Sequence, residues 1–215
     1  MKKIFATLLA ASLMFAATDA FAQLSAGVGY LNASDKSVYT PSNGDKVITE
    51  TPLNGFYAGV QYDMPIPAVS GLGIEAGAYA NFLFGSKHYD GLFGLGAGTN
   101  KYSEINLNIP INATFGFSLA GDTNVFAYAG PIFQLGLSSK SSYIPDSDKG
   151  SKTVNDNYAD PDRNRFNLLI GGGIGAQVAG IRIVLGVDQS LLNYETADNT
   201  VGSRFQLKLG VGYAF

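Results

Sequence analysis

The chain has 215 residues, of which 46% are hydrophobic and only 14% charged, with 27 Gly, no Cys and no Trp. So much apolar sequence excludes a disordered chain, and the high Gly content with few charges is a poor match to an ordinary soluble helical domain. The formal net charge of −3 provides no basic surface for nucleic acid. The length allows one medium-sized domain.

Residues 1–22 have the features of a secretory signal peptide. Lys2-Lys3 precede an apolar run from Ile4 to Ala17, and Ala20-Phe21-Ala22 supplies the small residues that precede a cleavage site. An anchoring helix is the alternative, but the run falls short of the roughly 20 apolar residues needed to cross a bilayer. We therefore expect export and a mature chain of residues 23–215.

Beyond the signal peptide, apolar residues recur with a period of two, which is typical of β-strands with two different faces. The last segment is the clearest, because every odd position from Phe205 to Phe215 is apolar and every even position is Gln, Lys, Gly or Ala. The pattern predicts eight strands, in chain order 23–32, 54–64, 72–84, 104–117, 124–137, 165–178, 181–191 and 204–215.

The predicted connections alternate between long and short. The long ones are 33–53, 86–101, 138–163 and 194–202, and the short ones are 65–70, 120–122 and 179–180. Transmembrane barrels have brief periplasmic turns and longer outside loops. The sequence thus predicts an all-β fold: an eight-stranded antiparallel up-and-down transmembrane β-barrel with short periplasmic turns and four longer external loops.

Glycines decide which face is the lumen. An eight-stranded barrel is only wide enough for side chains to fill it. The polar faces of the predicted strands are rich in Gly, which weakens strands and is favoured where the interior is crowded. The apolar faces carry Leu, Ile, Val and Phe, as lipid contact requires. Aromatic residues near both strand ends would form the two girdles of such barrels. A soluble lipocalin-like barrel is the alternative.

Three short segments resemble the PorT-like family of Gram-negative outer-membrane β-barrel proteins. They are Glu104-Ile105-Asn106-Leu107-Asn108-Ile109-Pro110, Ala127-Tyr128-Ala129-Gly130-Pro131, and the terminal Leu209-Gly210-Val211-Gly212-Tyr213-Ala214-Phe215. The resemblance implies the fold and a location in the cell outer membrane, but no reaction. Tyr213 and Phe215 resemble the C-terminal signal that is read by the barrel-assembly machinery during insertion.

The predicted inward faces carry charges that need partners, because buried unpaired charges are costly. These charges are Asp63, Glu75, Glu104, Arg165, Arg182, Asp188, Arg204 and Lys208. A hairpin centred near residue 198 would place Asp188 directly opposite Lys208, and we expect the two to pair. Asp63 and Glu75 could neutralise Arg182. A salt-bridged plug of the lumen is favoured over a proton or ion path.

Few residues suggest catalysis or metal binding. Ser86 and His88 lie two apart on a strand and could act as nucleophile and base, similar to the Ser and His of lipid A deacylases, but no third group orients the His. Asp146-Ser147-Asp148-Lys149-Gly150 begins like a calcium loop but lacks the later ligands and is better explained as a solvated loop. We predict no catalytic, cofactor or metal site.

The sequence therefore favours a non-enzymatic outer-membrane barrel with a plugged, polar lumen and a structural, adhesion or binding role for its loops. The alternatives are a lipid A-modifying enzyme and, with less support, a small-solute pore. Expected partners are outer-membrane lipid and lipopolysaccharide, the assembly machinery, and a protein or surface ligand at the loops.

Overall fold

Antiparallel strands account for most of the described chain. The computed structural model describes residues 23–42, 44–90, 96–119, 123–148, 151–160, 162–195 and 197–215, so the predicted signal peptide lies outside the described residues. The strands are β1 (Gln23–Tyr39), β2 (Val47–Pro65), β3 (Leu72–Tyr89), β4 (Gly98–Ser118), β5 (Thr123–Pro145), β6 (Thr153–Asp156), β7 (Phe166–Val178), β8 (Ile181–Ser190) and β9 (Thr200–Ala214). No helix in this part of the chain is long and apolar enough to cross a bilayer.

Eight of the strands close into a ring. Each long strand pairs antiparallel with its sequence neighbour, β5 pairs with β7, and β1 pairs with β9 to close the barrel. The short strand β6 pairs only with the outer part of β5, where β7 does not reach. The predicted eight-stranded up-and-down barrel is confirmed, and β6 is an addition to it.

Strands β1 to β5 and β9 extend beyond their predicted outer ends. The β1–β2 ladder continues to the pair Tyr39–Val47, so most of the predicted loop 33–53 is paired strand. The first three external connections shrink to 40–46, 90–97 and 146–165, and the fourth moves to 191–199 without a change in length. The connections at the other end are 66–71, 119–122 and 179–180. The alternation of longer external and shorter periplasmic connections is confirmed, but the predicted outer ends of these strands were wrong, because apolar alternation reports only the part of a strand that faces lipid.

The outer wall of the barrel is apolar and the lumen is largely polar. Val28, Ile174 and Leu209 are each more than half exposed. An exposed apolar belt is unfavourable in water and indicates that this surface contacts lipid. Aromatic residues flank this belt, with Tyr30, Phe56, Phe84, Phe166 and Phe205 toward the end with the longer connections and Phe115, Phe117, Tyr213 and Phe215 toward the other. This is a transmembrane barrel of the outer-membrane type, and the end with the short connections is its periplasmic end.

Glycines make room for aromatic rings in the lumen. A Cβ on Gly210 would overlap the hydroxyl of Tyr57, and a Cβ on Gly186 would overlap the hydroxyl of Tyr128. Further out, Leu31, Ala33, Leu53 and Leu83 form a fully buried apolar cluster inside the barrel, next to Tyr57. The sequence did not predict this cluster, because apolar residues on the lumen face interrupt the polar-in pattern that marked the strands.

Candidate functional site

Buried charges in the lumen gather at three levels along the barrel axis. Strand β9 gives the spacing of the three levels. Arg204 marks the first level and Lys208 the second, four residues further along the strand. Gly212 follows after four more residues and marks the third level, because it is the register partner of Arg182. Four residues of a tilted strand advance roughly 10 Å along the axis. The outer, middle and periplasmic clusters defined below therefore span most of the membrane thickness.

The periplasmic cluster is centred on Arg182. Its Nη1 lies 2.9 Å from Asp63 Oδ2, and its Nη2 donates to Glu75 Oε2. Asn112 Nδ2 donates to the other Glu75 oxygen over 2.9 Å. The ring of Phe126 lies 4.1 Å from Arg182 Cζ, which adds a cation–π contact. The structure thus brings Arg182 together with both of the carboxylates that the sequence suggested.

The middle cluster is the pair Asp188 and Lys208. The predicted register is wrong: Asp188 lies opposite Gln206, and Lys208 lies opposite Gly186. The β8–β9 hairpin is symmetric about position 197 rather than 198, which offsets the two residues by two positions. The long lysine stem nevertheless bridges the diagonal, and Lys208 Nζ lies 2.8 Å from Asp188 Oδ1, whose side chain is fully buried.

The outer cluster is centred on Arg204. Its guanidinium meets Asp35 through Nε at 2.5 Å and Nη2 at 2.7 Å, and Glu104 through Nη1 at 2.5 Å and Nη2 at 3.0 Å. Such two-pronged contacts are the strongest geometry for an arginine–carboxylate pair. Arg163 Nη2 lies 3.5 Å from Glu104, and Asn106 donates to Glu104 over 2.6 Å.

Two of these outer residues were missed by the sequence reasoning, and one predicted residue lies elsewhere. Asp35 is an even number of residues from Ser25 along β1, so both side chains lie on the inward face. Extending the predicted strand past residue 32 would therefore have found it. Arg163 belongs to a connection and carries no periodic signal. Arg165 was expected inside the barrel but is exposed and lies over the ring of Tyr158, because β7 begins only at Phe166.

Connecting segments fold over the outer mouth of the lumen. Ser37 donates to Glu195 over 2.6 Å, and Ser141 donates to Asn157 over 2.7 Å, which ties the segments 191–199 and 146–165 to the barrel rim. Burial, and then the negative charge of Asp35, raises the pKa of the Tyr194 phenol. Tyr194 therefore remains a neutral hydrogen-bonding group.

A polar pocket of about 270 Å³ remains at this mouth. Its lining includes Asp35, Ser37, Thr51, Glu104, Arg163 and Glu195. Three carboxylates, the guanidinium of Arg163 and several hydroxyls line it, so the pocket can hydrogen-bond a small polar group. In the described residues no three His, Cys, Asp or Glu side chains are placed to hold a metal ion.

The spaces below the mouth differ in size. Between the periplasmic and middle clusters a cavity of about 50 Å³ is lined by residues that include Glu75, Arg182 and Lys208. A space of that size holds only a few water molecules. At the periplasmic end an open vestibule of about 660 Å³ leads to Asp63 and Arg182.

The remaining predicted residues lie on the outside of the barrel. His88 Nδ1 lies 3.2 Å from Thr99 Oγ1, and its Nε2 lies 3.3 Å from Asp90 and 3.6 Å from Asp146. None of the described contacts of His88 involves Ser86. Lys149 and Gly150 of the calcium-like segment lie outside the described residues.

Tyr213 and Phe215 both face outward at the periplasmic end. Their rings meet edge to face with centroids 5.4 Å apart. A surface aromatic pair at the end of the last strand is accessible to another protein during assembly. Its role as an insertion signal stays a prediction.

Comparison with known proteins shows similarity only at the level of solved structures. No family model and no curated protein matches the chain. Ail of Yersinia pestis, solved with the heparin analogue sucrose octasulfate, is 13% identical with a TM-score of 0.44, covering 91% of this chain and 100% of that one. OprG of Pseudomonas aeruginosa is 12% identical with a TM-score of 0.45, covering 91% and 96%. Neisserial surface protein A is 13% identical with a TM-score of 0.38, covering 89% and 99%. At these values the likeness carries no functional argument, and the fold assignment rests on the strand register and exposure described above.

Proposed function

We propose that this chain is a non-enzymatic outer-membrane barrel whose lumen is a closed scaffold and whose external segments bind a protein or surface ligand. The observation that carries the proposal is the stack of three ion-paired clusters across the lumen. Cations and carboxylates are equal in number in the outer and middle clusters, and in the periplasmic cluster Arg182 contacts both carboxylates. The apolar cluster around Leu31 fills further space. Such an interior favours a rigid scaffold over a conducting path.

The outer cluster is a barrier to the passage of ions through the lumen. An ion that passed this level would have to displace Arg204, whose side chain is 4% exposed, from two carboxylates. Removing one partner from a buried pair costs about 3–5 kcal/mol. A solute would meet this barrier again at the middle and periplasmic clusters.

The described residues Glu195 and Asn157 of the external segments favour a binding role, because both are hydrogen-bonded to the barrel rim before any ligand arrives. Contacts from Ser37 and Ser141 to the segments 191–199 and 146–165 reduce the entropy that would be lost on binding. The mouth pocket offers hydrogen-bonding groups between these segments. A protein or glycan that presents small polar groups fits this surface.

The family and partners form part of the same proposal. The segments that resemble the PorT-like family lie in β4, β5 and β9, and they support membership in that family. Outer-membrane lipid and lipopolysaccharide would surround the apolar belt. The barrel-assembly machinery would meet the outward pair Tyr213 and Phe215.

Conductance and surface binding test the proposal together. Full-length protein purified from outer membranes should give no conductance steps above background in planar bilayers, with a porin as the positive control. Cells that display the barrel should lose adherence to immobilised protein or polysaccharide when 146–165 is shortened, while heat-modifiable mobility on gels persists. Regular conductance steps, or adherence that is indifferent to shortening of each external segment, would contradict the proposal.

A further inference from the structure

A basic groove lies on the outer wall of the barrel, away from the lumen and its mouth. It has a volume of about 630 Å³ and crosses the outer ends of β2 to β6. Three lysines line it together with hydroxyl and aromatic side chains: Lys101, Lys140, Lys152, Ser86, Ser103 and Phe84.

The strand register explains why these lysines meet. Ser103 pairs with Lys140 across β4 and β5, and Lys101 pairs with Ser142 one step further out. Lys101 and Lys140 are therefore diagonal neighbours on one face, within reach of long side chains. Lys152 lies two residues before Val154, the β6 partner of Ser142, and so joins them from the next strand.

The groove is positively charged although the chain as a whole is acidic. No Asp or Glu is among its described lining residues, and none of the three lysines forms an ion pair with a described residue. Asp156 lies across from Lys140 in the register, but its Oδ1 accepts a hydrogen bond from the Tyr158 amide. The formal net charge of the chain is −3. Three like charges placed together on such a surface attract an anionic partner.

The height of the groove on the barrel indicates which anion is available. The outward apolar residues of β4 run from Phe117 to Ile105, and Ser103 and Lys101 are the next outward positions. Twelve residues of a strand tilted by roughly 40° span about 30 Å along the axis, which exceeds the apolar band of about 25 Å in such barrels. The lysines therefore lie at the level of the outer-leaflet head groups, directly above Phe84 of the outer girdle.

We propose that Lys101, Lys140 and Lys152 bind the phosphate groups of an outer-leaflet glycolipid, the lipid A part of lipopolysaccharide. The ammonium groups supply the counter-charge, and the hydroxyls of Ser86 and Ser103 can donate to phosphate oxygens. Acyl chains of the same lipid continue downward along the apolar wall below the groove. This site is independent of the ligand proposed for the external segments.

Native mass spectrometry of the full-length protein in detergent, titrated with bisphosphorylated lipid A, tests the site. The triple variant K101Q/K140Q/K152Q should bind lipid A about a hundredfold more weakly. The matched control K36Q/K46Q/K87Q removes the same charge from strands and loops outside the groove and should bind as the wild type does. Lipid A stripped of both phosphates should bind the wild type as weakly as the intact lipid binds the triple variant.

Several outcomes would overturn the site. Equal loss in the control variant would show a general charge effect, and unchanged binding by the triple variant would remove the lysines from recognition. Displacement of lipid A by millimolar inorganic phosphate would identify the free ion as the ligand instead. If the triple variant lacks heat-modifiable mobility, the single variants K101Q and K140Q replace it, with an expected loss of about fivefold each.

Discussion

Replacing Arg204 with Met should destabilise the barrel more than almost any other single lumen substitution. Arg204 is 4% exposed and holds two carboxylates, of Glu104 at 5% exposed and Asp35 at 11% exposed. Loss of one partner from a buried ion pair costs about 3–5 kcal/mol. Arg163 remains 3.5 Å from Glu104 and 3.9 Å from Asp35 and can neutralise one of them. The expected loss is therefore about 3 kcal/mol, at the lower end of that range.

A rescue experiment separates the charge effect from lost packing. Changing Asp35 to Asn and Glu104 to Gln in the same chain removes the orphaned charges, so the triple variant should regain at least half of the lost stability. The chain has no Trp, so unfolding in urea is followed by far-UV circular dichroism or by heat-modifiable mobility. A loss below about 0.5 kcal/mol for the single variant, or a triple variant no more stable than it, would refute the argument.

Three further predictions concern other parts of the barrel. Gly210→Ala should cost about 1–3 kcal/mol of unfolding free energy because the new Cβ overlaps the Tyr57 hydroxyl, and Tyr57→Phe should relieve part of that loss in the same urea titration. Lys208→Met should lower the urea midpoint by leaving the buried Asp188 unpaired, and adding Asp188→Asn should raise the midpoint again. Equal midpoints for the single and the double variant would contradict the ion pair. Deleting Phe215 should reduce the fraction of protein that reaches the heat-modifiable state in outer membranes, whereas refolding in detergent should be unchanged; equal yields would remove its role as an insertion signal.

Much of the barrel was predictable because a lipid environment imposes a simple rule on each strand. Side chains alternate between hydrocarbon and lumen, so the eight outward faces appear directly in the sequence, as in the run from Phe205 to Phe215. The alternation of connection lengths was also predictable, since it follows from strand order. The rule ends where the strands leave the hydrocarbon, which is why the sequence predicts a loop for residues 33–39, although they are paired in β1.

The candidate sites were only partly predictable. The period-two alternation of side chains along each strand predicted which charged residues face inward, and Arg182 meets the carboxylates that the sequence suggested. Their remaining partners depend on hairpin register, which is set by turn geometry, and a shift of one position in the centre of the β8–β9 hairpin moved Lys208 two residues from its expected place.

By itself, the sequence determined which residues face lipid and which face inward, because that division is a local property of alternating side chains. Only the tertiary structure decided which charges meet. Closure of the ring brings Arg204 to Asp35 and Glu104. The pairing of β4 with β5 and of β5 with β6 brings together the three lysines of the outer groove. Contacts across strands depend on stagger and on the ends of the strands beyond the bilayer, where apolar and polar residues no longer divide cleanly between the two faces.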